Sequence, residues 1–263
     1  TEPLDKNSSF QSTAMNIERP VYLQRLKERM HDGMIKIVTG MRRSGKSYLL
    51  FELFRRYLLE SGVPQDHILG IELDRHSNAQ YQDPDVLLAY LNERMNTDGM
   101  YYILLDEIQM LKDFVGVLNE LLHDRNADVY VTGSNSKFLS SDIITEFRGR
   151  SDEIRVYPLT FREYYEGLGG DRRDRLDEYM RFGGLPIVAL MAGDEKKIRY
   201  LREVGEKIYL SDLKQRHNIK NPTEFDELLD ILASGIGTLT NAQKLSNIFK
   251  TVNHTAISAN TIQ

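Results

Sequence analysis

The chain has 263 residues, enough for one main domain and an appendage, since domains commonly run to about 100–200 residues. Lysine and arginine number 34 against 39 aspartates and glutamates, a net charge of −5, so the chain lacks the basic excess of a dedicated nucleic-acid coat and any DNA contact would need a local patch. Cysteine is absent, which excludes disulfides and thiolate metal sites, and no apolar run approaches the roughly 20 residues that span a bilayer, so the expectation is a cytoplasmic chain without membrane contact.

The start, "TEPLDKNSSFQSTA", is polar and aperiodic, without the basic stretch and apolar core of a signal peptide. It reads as a flexible leader or expression remnant over residues 1–14, with Met15 as a candidate native start. From there "MNIERPVYLQRLKERMHDG" places Tyr22, Leu23, Leu26 and Met30 near helical spacing, and Gly33 closes the helix. "MIKIVTG" is a β-branched strand, and "KSYLLFELFRRYLLESG" a strong helix ending at Gly62. "HILGIEL" (67–73) is a second strand, "DPDVLLAYLNERM" a helix with Pro84 near its start, and "YYILLDEI" (101–108) a third strand, apolar until two acids. Helix "FVGVLNELLHD", strand "DVYVTGS" (128–134), helical "SKFLSSDIITEF" and a fifth strand in "RSDEIRVYPL" complete the alternation. Apolar strands alternating with helices predict an α/β fold of three layers, a parallel five-stranded sheet covered on both faces, over residues 15–158. From "TFREYYEGLG" onward only helices are predicted: a helical lid over 159–218, then a segment over 219–263. No repeat with a period of roughly 20–50 residues and no low-complexity tract appears.

Between the first strand and its helix lies "GMRRSGKS", Gly40 to Ser47, in the strand–loop–helix context of a phosphate loop (Walker A). Backbone amides freed by glycine and by the start of the helix can point at phosphate oxygens, and the helix dipole favours the same anion. The candidate nucleotide contacts are Gly40, Met41, Arg42, Arg43, Ser44, Gly45, Lys46, Ser47 and Tyr48; Lys46 would reach the β- and γ-phosphates and the Ser47 hydroxyl would ligate Mg²⁺. Because the backbone carries most phosphate binding, the Arg42 and Arg43 side chains are available to contact the lid or a neighbouring subunit.

At the end of the third strand, Asp106 is placed to hold Mg²⁺ through its water shell and Glu107 to polarise an attacking water, the arrangement of a Walker B pair. A buried carboxylate needs a partner or a task, and a strand-end salt bridge is the plain alternative. The next strand ends "VTGSNS", where Ser134 or Asn135 could touch the γ-phosphate or the water, or could equally cap a helix. The six histidines show no metal-ligand spacing, and no Ser-His-Asp or cysteine nucleophile is present.

The phosphate loop, "LLDEIQ", "TGSNS", "RGR" followed by "YPLTFREYY", and "FGGLP" occur together in this order. The combination resembles the AAA-type P-loop ATPases of bacteria and archaea that carry a C-terminal domain of unknown function, a group allied to the archaeal ATPases and the STAND NTPases. The resemblance runs from about Ile17 to Leu190. It implies the strand order 5-1-4-3-2, and it puts Arg150, or alternatively Arg148, where relatives carry an arginine finger that a neighbouring subunit of a homo-oligomer can supply. It also sets Gly184, Leu185 and Pro186 on a lid signature whose proline lies near the base, and "ERPVYLQRL" on a helix that starts beside the adenine. A surface arginine paired with Asp152 or Glu153, and a simple helix break at "GGLP", are the plain alternatives.

"NAQKLSNIFK" and "HTAISANTIQ" resemble the second and third helices of a winged helix, with Thr255, Ser258 and Asn260 on the recognition helix and no wing strands following. The expected activity is Mg²⁺-dependent hydrolysis of ATP to ADP and phosphate, coupled to a conformational change. A nucleotide-dependent DNA-binding or scaffold module with little turnover, and a small-molecule kinase, are the alternatives.

Overall fold

The computed structural model describes residues 17–124, 126–133, 147, 149–205 and 222–252. The chain divides between Leu201 and Arg202 into two compact units. In the first, helix α1 (Pro20–Glu28), with proline in its first turn, leads to strand β1 (Ile35–Thr39), all five residues of which are buried. Helix α2 follows in three parts, α-helical over Lys46–Tyr48, π-helical over Leu49–Phe54 and α-helical again over Arg55–Glu60. Strand β2 (Ile68–Glu72), helix α3 (Pro84–Arg94), strand β3 (Tyr101–Asp106), helix α4 (Phe114–Leu121), strand β4 (Ala127–Gly133) and strand β5 (Ser151–Arg155) complete the alternation.

All pairings are parallel and the order is β2-β3-β4-β1-β5, the predicted order read from the other edge. The two-residue period of the strands divides the core between the two faces. Ile35, Ile37, Tyr101, Ile103, Leu105, Val129 and Val131 face Leu87 and Leu91 of α3 and Val117, Leu118 and Leu121 of α4. Val38, Tyr102, Leu104, Tyr130 and Ile154 face Tyr22 and Leu26 of α1 and Leu49, Leu50, Leu53, Phe54 and Leu58 of α2. Three layers result, as the apolar strand runs predicted.

The third strand is shorter than its apolar pattern: it stops at Asp106 because Glu107 takes left-handed backbone angles (φ 52°, ψ 52°) and Ile108–Met110 turn into a short 3₁₀ helix. A strand cannot continue through such a residue.

A buried cation marks the start of the sheet. Lys36 on β1 is fully buried, with Nζ 2.5 Å from Asp128 Oδ1, 2.6 Å from Asp32 Oδ1 and donating to the Met34 carbonyl at 2.9 Å. Asp128 Oδ2 also accepts from the Tyr130 hydroxyl at 2.9 Å and the His31 amide at 3.1 Å. Lys36→Met is expected to lower stability by about 3–5 kcal/mol, because Asp128 would stay buried without its counter-charge. Adding Asp128→Asn should recover part of that loss, and urea unfolding of both variants measures it. An unchanged midpoint in Lys36→Met would show that the pair contributes nothing.

Beyond β5 come helices α5 (Phe161–Leu168), α6 (Arg172–Phe182), α7 (Pro186–Ala189) and α8 (Asp194–Val204). Thr160 and Glu163 form a capping box at the start of α5. Leu159, Tyr164, Ala189 and Ile17 make a small separate core beneath these helices. Gly184 is required here by close approach: a Cβ on it would lie 2.2 Å from the Leu159 carbonyl oxygen, while Leu159 N–H donates to the Gly184 carbonyl at 2.7 Å.

The second unit contains helices α9 (Pro222–Ser234) and α10 (Ala242–Val252), with Leu245 and Phe249 of α10 buried. Helix α10 covers the first of the two winged-helix segments; the recognition segment with Thr255, Ser258 and Asn260 lies outside the described residues. Among the described residues no helix is long and apolar enough to cross a membrane.

Candidate functional site

Because β4 lies between β1 and β3, the ends of these three strands come to one edge of the sheet. Thr39 pairs with Gly133 and Leu105 with Val131, so the loop that begins at Gly40 stands beside Thr132 and Asp106. Residues far apart in the chain thus meet where β1 turns into α2.

In the loop, Arg43 (φ 65°) and Gly45 (φ 95°, ψ 22°) both take left-handed angles, and α2 begins at the next residue, Lys46. Alternating left- and right-handed residues turn successive amides to one side, the arrangement of an anion nest. Lys46 is buried and folds back on the loop, its Nζ donating to the Gly40 carbonyl at 3.1 Å and the Met41 carbonyl at 3.0 Å. Burial holds its pKa below the ordinary lysine value; the charges of Glu107 and Asp106 oppose that shift, and Arg42 adds to it.

Asp106 is buried and its carboxyl is raised above the usual range, first by burial and then by the charges of Glu107 and Asp74. Hydrogen bonds from the hydroxyls of Thr132 and Ser47 act in the opposite direction. Thr132 is a joint for both acids, its Oγ1 donating to Asp106 Oδ1 and accepting from the Glu107 amide at 3.0 Å. The Glu107 carboxylate is held in turn by the side-chain amide of Gln109. Two left-handed non-glycine residues at one site, Arg43 and Glu107, are the kind of backbone strain that clusters where geometry serves chemistry.

A cleft of about 440 Å³ opens here, lined by Arg43, Gly45, Lys46, Ser47, Tyr48 and Glu107 on one side and Pro186, Ile187 and Tyr200 on the other. The proline of "GGLP" therefore faces the phosphate loop, and a Cβ on Gly45 would stand 3.5 Å from Pro186 Cγ. The Arg43 guanidinium lies 5.0 Å from the centre of the Tyr200 ring on α8, so one of the two loop arginines does contact the helices after the sheet. Arg42 is half-buried, and Met41 is exposed.

Arg150 is not brought to this cleft. It precedes β5, whose Ser151 pairs with Ile35 at the start of β1, so it stands at the opposite end of the sheet, with Nη1 donating to Asn119 Oδ1 at 2.9 Å. Ser134, Asn135 and Arg148 lie outside the described residues. Thr132 belongs to no motif in the sequence; its one signal there is a hydroxyl on the strand between β1 and β3. Gln109, Tyr200 and Arg19 carry no local sequence signal, whereas Glu163 stands in the Thr-x-x-Glu pattern of a capping box.

Residues 32–165, just over half of the chain, match the model of an AAA domain family, and residues 173–263 match a domain of unknown function, DUF8612. An uncharacterized protein of Haemophilus influenzae is 33% identical over 91% of this chain and 62% of its own length. One of Methanocaldococcus jannaschii is 28% identical over 83% of this chain and 51% of its own length, so the chain spans between half and two thirds of the relatives it matches. Among solved structures, Aeropyrum pernix ORC1, determined in complex with DNA, shares 14% identity at a TM-score of 0.44, covering 93% of this chain and 81% of that one, a likeness too loose to transfer function. On its fold, its loop and its family match, the chain belongs to the AAA domain family, as a nucleotide-binding domain of the P-loop ATPase type followed by a domain of unknown function.

Proposed function

We propose that the cleft binds ATP with Mg²⁺, hydrolyses it to ADP and phosphate, and couples nucleotide state to the helices that line its far side. The observation that carries this reading is the meeting of Ser47, Asp106, Thr132 and Glu107 beneath the phosphate loop. Family membership supports the choice of a nucleoside triphosphate.

The Ser47 hydroxyl bonded to the Asp106 carboxylate is a pair of hard oxygen donors of the kind Mg²⁺ takes, so the residues fit that ion. Mg²⁺ held there would neutralise charge on the β- and γ-phosphate oxygens. The loop amides would bind those phosphates, and Lys46 would exchange the Gly40 and Met41 carbonyls for them. Glu107, fixed by Thr132 through its amide and by Gln109 through its carboxylate, would take a proton from the attacking water. The water oxygen then bonds to the γ-phosphorus while the bond to the β–γ bridging oxygen breaks, releasing ADP. On the far wall, the Arg43–Tyr200 contact gives α8 a direct view of the loop.

Calorimetric titration with ATP, with and without Mg²⁺, tests the ion's place. Wild type is expected to bind more tightly with Mg²⁺, and Asp106→Asn and Ser47→Ala should each lose most of that increment while keeping Mg²⁺-free binding. An increment left intact in both variants would move the ion elsewhere.

A further inference from the structure

Arg19, the residue before α1, is 1% exposed, and its guanidinium reaches three separate segments. Nη1 donates to the Ser44 carbonyl of the phosphate loop at 2.9 Å, and Nη2 to the Tyr157 carbonyl beyond β5 at 2.8 Å. Nε and Nη2 donate to the two carboxylate oxygens of Glu163 on α5, at 3.1 and 3.4 Å. The Tyr22 ring lies beneath it, 4.4 Å from the guanidinium carbon.

We propose that Arg19 is a positioning residue for the nucleotide's phosphates: it fixes the Ser44–Gly45 peptide for anion binding and ties that peptide to helix α5 through Glu163. The inference rests on the reading above that the loop binds nucleotide phosphates. In a planar trans peptide the carbonyl and the following N–H point in opposite directions. With the Ser44 oxygen held by Arg19, the Gly45 N–H is turned away from Arg19, and Gly45 lines the cleft. Released from that bond, the peptide is free to rotate its carbonyl toward the cleft, where an acceptor would face an anionic phosphate.

The same guanidinium makes the loop and α5 move as one. Glu163 is the third residue of α5, and its Oε2 accepts from the Thr160 amide at 2.8 Å, so a shift of the helix start displaces the carboxylate that holds Arg19. A buried ion pair can also be a strut of the fold and nothing more, and the experiment must tell the two apart.

Arg19→Lys keeps the charge and loses the planar fork. Glu163→Gln removes the counter-charge and keeps a residue able to complete the capping box. Arg162→Gln, on the same helix and paired with exposed Glu166, is the control. Titration of the full chain with Mg·ATP and Mg·ADP, below the thermal transition of every variant, is expected to show Kd raised about tenfold for both nucleotides in Arg19→Lys and in Glu163→Gln, the loss of one charge-assisted contact. Arg162→Gln should match wild type, and the double variant should bind no worse than Arg19→Lys, because both act through one link. Variants that melt earlier yet bind at the wild-type Kd would reduce Arg19 to a fold strut. If Arg19→Lys does not fold, wild-type affinity in Glu163→Gln alone overturns the coupling. A wild-type chain that binds neither nucleotide would instead remove the reading of the cleft, and this inference with it.

Discussion

Alanine at position 46 is expected to abolish measurable nucleotide binding, raising Kd by about a hundredfold or more, the effect of truncating one partner of a desolvated charge pair. Lys46 is buried in the cleft, where its ammonium donates to two loop carbonyls, those of Gly40 and Met41. Burial already disfavours its charge, so a phosphate arriving beside it relieves an existing penalty as well as forming new bonds. The fold should survive, because Lys46 makes no ion pair with the core of the sheet in its contacts to the Gly40 and Met41 carbonyls. Titration with ATP, alongside a thermal melt to show that the variant is folded, checks this; retained binding would remove the basis for assigning the loop to phosphates.

The second large effect is expected at Glu107. Glu107→Gln keeps the size and the hydrogen-bonding reach of the side chain but cannot accept the water's proton. Turnover should fall by about 10²–10⁴-fold, the usual contribution of a positioned general base, while the Kd for ATP stays within about threefold of wild type. The expectation follows from the way the residue is held. Its left-handed backbone ends β3 at Asp106, its amide is bonded to Thr132 and its carboxylate to Gln109, so its own backbone and two neighbours fix the acid at the cleft wall. Phosphate release measured in both proteins decides it, and equal rates would assign the water's activation to another group.

The sheet was legible because strand burial is written in the local pattern: "MIKIVTG" and "YYILLDEI" can hardly be anything but buried parallel strands beside a loop of this spacing. Strand order and the AAA family came from the order of several motifs taken together. The strained turn at Glu107 was not legible, since nothing in "LLDEIQ" distinguishes a strand that stops at Asp106 from one that continues. Arg19 shows the deeper limit. Nothing local in "ERPVYL" marks it, and only the return of the chain at Ser44, Tyr157 and Glu163 makes it a buried junction. Arg150 shows the converse: a resemblance placed it correctly before β5, but the parallel register puts the start of β5 away from the phosphate loop. For the two loop arginines, position in the variable part of the loop suggested a task outside phosphate binding, and the ring of Tyr200 now gives Arg43 a specific contact.

Hydrolysis in this cleft would release inorganic phosphate from ATP and Mg²⁺ with no other acceptor present. The wild-type chain should release phosphate steadily, and the release should disappear in both Lys46→Ala and Glu107→Gln. Wild-type release no faster than that of the two variants would contradict it.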